Sequence, residues 1–324
     1  MEALRDGFGR RLDYLRLSIT DRCNLRCVYC LPLSGASFAS PEDALSPAEI
    51  ERLVRLAQRL GVTKVRVTGG EPLVRRDVLE VVSRLGRLGL RDFSLSTNGV
   101  LLAPLAAKLK DAGLHRVNVS LDTLDPARFL RVARFGELPA VLEGLRAALA
   151  AGLSPVKVNV VVGRGLNDDE IPAFVDLARR RPLHVRFIEL MPIGETGFFT
   201  PERWLPMPAI RAACGPLEPC VAPVGSGPAR YLRPAGGARG TLGFIGAMSC
   251  SFCADCNRMR LTSTGRLVPC LGSEKGTDLR KPLRAGPDDA VLEALWRRTA
   301  ADKPERHELA TSSPRERFMC SLGG

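Results

Sequence analysis

Aromatic residues make up only 5% of this 324-residue chain, and just seven of its 47 basic residues are lysines. Basic residues scattered without interleaved aromatics argue against a nucleic-acid surface, despite a formal net charge of +12. Histidine is scarce too: His115, His184 and His307 are far apart in the chain and read as surface or core residues. No window approaches the roughly 20 apolar residues that cross a bilayer. The opening MEALRDGFGRRLDYLRLS has no apolar stretch of signal-peptide length. A soluble cytoplasmic protein is therefore expected, with its ten cysteines in reducing surroundings where they serve as ligands more often than as disulfides. The hydrophobic share of 45% and charged share of 25% are ordinary globular values, and the length suits about two domains.

What is present is a pair of cysteine triads. Cys23, Cys27 and Cys30 stand as C-x-x-x-C-x-x-C after the strand-like run Tyr14 to Thr20, a spacing that supplies three thiolates to one small metal centre. In a four-iron cubane the fourth iron is then open to a substrate or cosubstrate, although a zinc site or free thiols would use the same residues. Cys253, Cys256 and Cys270 form a second set of three. Alone it reads as a zinc knuckle that Cys250 could close, and beside the first triad as a second iron-sulfur cluster. Cys214, Cys220, Cys250 and Cys320 lie outside both triads and read as small buried hydrophobes.

Six β-branched runs, at 14–20, 64–69, 92–97, 116–121, 156–162 and 184–190, alternate with helical patterns such as Pro47 to Leu60 after Ser46 and Asp77 to Leu88. The alternation predicts an α/β protein with a parallel sheet and helices outside. From Met207 to Gly246 the sequence turns rich in proline and glycine and reads as a linker and irregular crossover, so a boundary is expected near Gly197, dividing the chain into 1–197 and 198–324. Strand alternation puts Lys64, Arg66 and Thr68 on one face, as it does Arg16, Ser18 and Thr20, and Lys157 and Asn159, with Arg186 alike in the sixth strand. Helices cover the apolar faces, so the cations face the lumen, where few carboxylates are expected. A polyanion such as a triphosphate is the natural counter-ion.

The two triads, with Thr68-Gly69-Gly70-Glu71-Pro72 after the second strand, resemble the radical S-adenosylmethionine (SAM) enzymes and, within them, the GTP 3',8-cyclases of molybdenum cofactor biosynthesis. That resemblance runs from about Tyr14 to the end. It implies an incomplete (βα)6 barrel closed by a C-terminal cysteine-bearing region, two [4Fe-4S] clusters on the six triad cysteines, and SAM at Tyr29, Gly70, Ser120 and Met191. It assigns GTP to Arg16, Lys64, Arg66, Thr97, Lys157 and Arg186, and to the segment Arg258, Met259 and Arg260. Arg258, Arg260 and a tail ending in Gly323 and Gly324 would serve catalysis, in which a radical from SAM takes hydrogen from C3' of GTP. The implied partners are GTP, SAM, an electron donor, cyclic pyranopterin monophosphate synthase as product acceptor, and a second copy in a homodimer, with no membrane and no nucleic acid. Another radical SAM enzyme with an auxiliary cluster, or an iron-sulfur or zinc nucleic-acid regulator, are the alternative readings.

Overall fold

The computed structural model describes residues 3–32, 37–194, 196–225, 227–286, 288–307, 309 and 318–323. Each β-branched run forms a strand: β1 (Tyr14–Ser18), β2 (Lys64–Thr68), β3 (Asp92–Thr97), β4 (Arg116–Ser120), β5 (Lys157–Val162) and β6 (His184–Glu189). They pair in chain order, all parallel. The helix Pro47–Arg59 starts where its sequence dictates, since Ser46 and Glu49 cap each other's backbone in a capping box and proline opens the first turn. Leu15, Leu17, Val65, Val67, Leu95, Val117 and Val158 turn to the helices and are wholly buried, worth about 1.5–3 kcal/mol each. The alternate residues face the lumen, and the register sets Arg260, Arg16 and Arg66 side by side in one row across three strands.

The stretch from Met207 to Gly246, expected to be an irregular linker, is instead structured. It holds a helix, Met207–Ala213, and the strands β7 (Leu217–Pro219), β8 (Arg230–Pro234) and β9 (Thr241–Ile245). Three more follow: β10 (Arg258–Leu261), β11 (Arg266–Val268) and β12 (Thr277–Asp278). β9 joins β6 and β10 joins β1, both parallel, so eight parallel strands, not six, form the middle of the sheet. Antiparallel pairings complete both edges. The sheet runs from β12 to β7 without these end strands pairing, which leaves the barrel incomplete among the described residues. Glycines hide β9 from periodicity, and packing explains them: a Cβ at Gly240 would stand 1.9 Å from the Leu183 carbonyl oxygen, and one at Gly243 2.9 Å from Arg186 Cγ. Among the described residues no helix is long and apolar enough to cross a membrane.

Candidate active site

The carboxyl ends of the parallel strands open into a cavity of about 270 Å³, the place where a parallel barrel gathers its chemistry. Cys23, Cys27 and Cys30 line one side of it, together with Tyr29, Gly70, Ser120 and Met191. The loop after β2 lies against the loop that leads to the triad: Gly70 N donates to Thr20 O at 2.7 Å and Glu71 N to Arg22 O at 2.8 Å. Only glycine fits that contact, since a Cβ at Gly70 would sit 2.4 Å from the Arg22 carbonyl oxygen. Glu71, 1% exposed, accepts from Thr97 Oγ1 at 2.8 Å and Asn98 N at 2.6 Å, and burial pushes its carboxyl up to about 7. Tyr29 donates its hydroxyl to Asp122 at 2.5 Å, joining the triad loop to the end of β4. Burial raises the Asp122 carboxyl to about 6 and raises all three thiols of the triad as well, with Arg26 and Arg134 partly opposing the rise at Cys23 and Cys27.

The other side of the cavity is cationic, lined by Arg16, Arg66, Arg186, Arg258 and Arg260. Arg66 lies over the Tyr14 ring at 5.5 Å, and burial, ahead of neighbouring charges, lowers both Arg66 and Arg260 to about 10. Four buried polar atoms on this cavity, Tyr14 Oη, Ser96 Oγ, Asn159 Oδ1 and Arg186 Nε, have no hydrogen-bond partner among the described residues. Orphans of this kind are costly, and their convergence on one void fits a polar ligand. Gly323 reaches the same void: its carbonyl oxygen accepts from Arg16 Nη2 at 2.9 Å and Arg260 Nη1 at 3.2 Å, and its φ of +73° favours glycine. Gly324 lies outside the described residues.

Three residues expected to contact GTP stand off the cavity wall. Lys64 starts β2 at its amino end and donates to Asp13 at 2.8 Å, neutralised by the residue just before β1 and away from the cavity. Met259 turns to the opposite face from its arginine neighbours, level with Leu15 and 1% exposed in the apolar core. Lys157 is in the lumen but below the cavity, where its Nζ donates to Val224 O at 2.7 Å. One of the few lumenal carboxylates already has a partner. Asp92 takes Arg116 in a bidentate pair at 2.8 and 2.7 Å, both residues buried. Sequence reasoning missed this pair because each opens its strand, where a charge normally reads as solvated.

The second triad lines a smaller cavity of about 70 Å³ that shares Met191, Ala247, Phe252, Arg258, Arg260 and Leu271 with the first. Here two of the thiols are lowered, not raised. Against the cost of burial, hydrogen bonds from His307 and Ser251 bring Cys253 down to about 6, and the Arg258 and Lys303 charges bring Cys256 to about 7. His307, expected to be a bystander, is thus a neighbour of the triad. Cys250 is exposed and does not line this cavity, whereas Cys320 is buried on the first one. Among the described residues no group of three or more His, Cys, Asp or Glu side chains is disposed to hold a single metal ion. Three cysteine thiols on each cavity are the donor set that an iron-sulfur cluster takes.

An open parallel barrel with a cysteine triad at the carboxyl end of its first strand defines a radical SAM architecture. The Radical SAM superfamily model matches residues 17–178, and the Molybdenum Cofactor Synthesis C model matches residues 183–309. The solved structure of SuiB from Streptococcus suis shares the fold, with a TM-score of 0.59 at 15% identity over 89% of this chain and 69% of that one. The GTP 3',8-cyclase of Moorella thermoacetica is 47% identical, with 99% of this chain and 100% of that protein covered. That of Pelotomaculum thermopropionicum is 48% identical over the same shares. The chain belongs to the GTP 3',8-cyclase family.

Proposed function

We propose that the chain converts GTP, with SAM as cosubstrate, to (8S)-3',8-cyclo-7,8-dihydroguanosine 5'-triphosphate, the first step of molybdenum cofactor biosynthesis. Cys23, Cys27 and Cys30 would hold one [4Fe-4S] cluster beside SAM, and Cys253, Cys256 and Cys270 the other beside the guanine. Such a cluster, when reduced, supplies the electron that cleaves SAM and so the radical that takes the ribose hydrogen. The remaining work belongs to the chain's own groups. Tyr29, Gly70, Ser120 and Met191 seat SAM on one wall, while Arg16, Arg66, Thr97, Lys157 and Arg186 hold the triphosphate on the other. Arg258 and Arg260, between the two cavities, face the reacting nucleotide along with Gly323, and Gly324 shares their expected part in catalysis. The barrel walls exclude water and stray hydrogen donors. Residues 1–197 then carry the SAM site and 198–324 the second triad. An electron donor, cyclic pyranopterin monophosphate synthase as product acceptor, a homodimeric state and a cytoplasmic location belong to the same proposal.

The observation that carries this reading is the arrangement of the two triad-lined cavities, adjoining through Arg258 and Arg260 with the arginine row alongside. The test is anaerobic incubation of the reconstituted protein with SAM, reductant and a panel of nucleotides, followed by mass spectrometry. GTP is expected to yield the cyclised product, and GTP deuterated at C3' is expected to pass its label to 5'-deoxyadenosine. Label arriving only from another position, or product from a different nucleotide, would refute it.

A further inference from the structure

Seven lysines are few for a chain this basic, and one of them is buried in the C-terminal region beside the second triad. Lys303 is 3% exposed and lines the cavity of Cys253, Cys256 and Cys270. Its Nζ donates to Arg258 O at 2.9 Å and to Pro269 O at 2.7 Å. Arg258 lies two residues past Cys256, and Pro269 immediately precedes Cys270. One ammonium group therefore ties together the two stretches of chain that bear these cysteines. The same segment reaches the third. Arg10 Nη1 donates to both Cys253 O at 2.6 Å and Glu305 O at 2.7 Å, and its Nη2 to Pro304 O at 2.6 Å. The His307 imidazole hydrogen-bonds the Cys253 sulfur and sits 2.9 Å from Ala247 O.

We infer that Lys303 is a positioning residue for the second triad, holding the Cys256 and Cys270 strands at a fixed separation and setting a positive charge against their thiolates. The inference rests on the reading of this triad as a cluster site. A buried ammonium is costly unless an anion faces it, and carbonyl oxygens supply dipoles but no net charge. Lys303 shares its cavity with Cys253, Cys256 and Cys270, no Asp or Glu lines that cavity among the described residues, and its charge acts on the Cys256 thiol, which makes the thiolates its complementary anions. Neutral donors would be enough for holding two carbonyls. A cation is what a negatively charged cluster calls for, in the way that groups behind the ligands tune a metal site.

The test compares the reconstituted full chain with Lys303→Met, which removes the charge and both hydrogen bonds, and Lys303→Gln, which removes the charge and keeps an N–H donor. The midpoint potential of the second cluster is followed by electron paramagnetic resonance during redox titration, and its iron loss to a chelator is timed, with the first cluster as internal standard. Both variants are expected to shift the second-site potential to more negative values, because the reduced, more anionic state loses its cation. Lys303→Met is expected to release second-site iron about tenfold faster, with Lys303→Gln in between and the first cluster unchanged. Wild-type potential and wild-type release in both variants would overturn the inference, as would parallel loss of both clusters with a lowered unfolding temperature. Zinc at this site in the unmodified chain would instead refute the cluster reading beneath it, so the two failures are distinguishable.

Discussion

Lys157 shows how a lumenal cation can be built to want an anion. Burial first, then the charges of Arg116, Arg186 and Arg66, lower its ammonium from an ordinary 10.5 to about 6, with Asp92 only partly opposing. The folded chain thus binds fewer protons at this site than the unfolded chain between pH 6 and 10.5, so the group costs stability as pH falls through that window. A phosphate beside it would return the proton. GTP binding near pH 7.5 is therefore expected to take up as much as one proton, measured by calorimetry in buffers of different ionisation enthalpy, and Lys157→Met is expected to abolish the uptake and weaken GTP by about 1.5–3 kcal/mol. Unchanged uptake in the variant would remove Lys157 from the phosphate site. The lumenal facing of Arg16, Arg66 and Arg186 was legible because alternation alone fixes a strand's faces. Lys64 was not, because alternation says nothing of depth along the barrel or of a neighbour such as Asp13; Met259 was missed because Arg258–Leu261 was not read as a strand, in which alternation turns it away from both arginines.

At the scale of elements, β1 to β6 could be read directly, since each is a β-branched run bounded by helical periodicity. β9 and β10 could not. The first is broken by glycines that packing requires, and the second follows a cysteine motif that draws attention to ligands and away from pairing. The closeness of the two loops after β1 and β2 was only half visible, as a paired glycine with no stated neighbour. It gives a sharp expectation: Gly70→Ala should drive the β2 loop off the Arg22 and Asp21 carbonyls, where its Cβ would otherwise lie at 2.4 and 2.6 Å. Iron at the first triad and SAM cleavage should fall by at least about tenfold, while second-triad iron stays at its normal level. Iron analysis of the variant in a Cys253→Ser, Cys256→Ser, Cys270→Ser background measures the first site alone, and full occupancy there would show that the loop contact is dispensable.

For the molecule as a whole, the informative fact is that β10 lies beside β1 and β9 beside β6, so C-terminal sequence covers both flanks of the six-stranded N-terminal sheet. Cut at the expected boundary, residues 1–197 would expose two long parallel edges, which are templates for association. That fragment is expected to be recovered as aggregate, and a monomeric, cooperatively unfolding fragment in gel filtration and thermal melts would show that the boundary separates independent folding units. The adjacency also sets an order in time. A ribosome releases β1 early and β10 only after some 240 further residues, so during synthesis the first strand waits with one edge unpaired. The carbonyl that bridges Arg16 and Arg260 is made later still, at Gly323. A chain cut anywhere before Gly323 keeps the register that sets Arg16 beside Arg260 but lacks the oxygen the two guanidinium groups share.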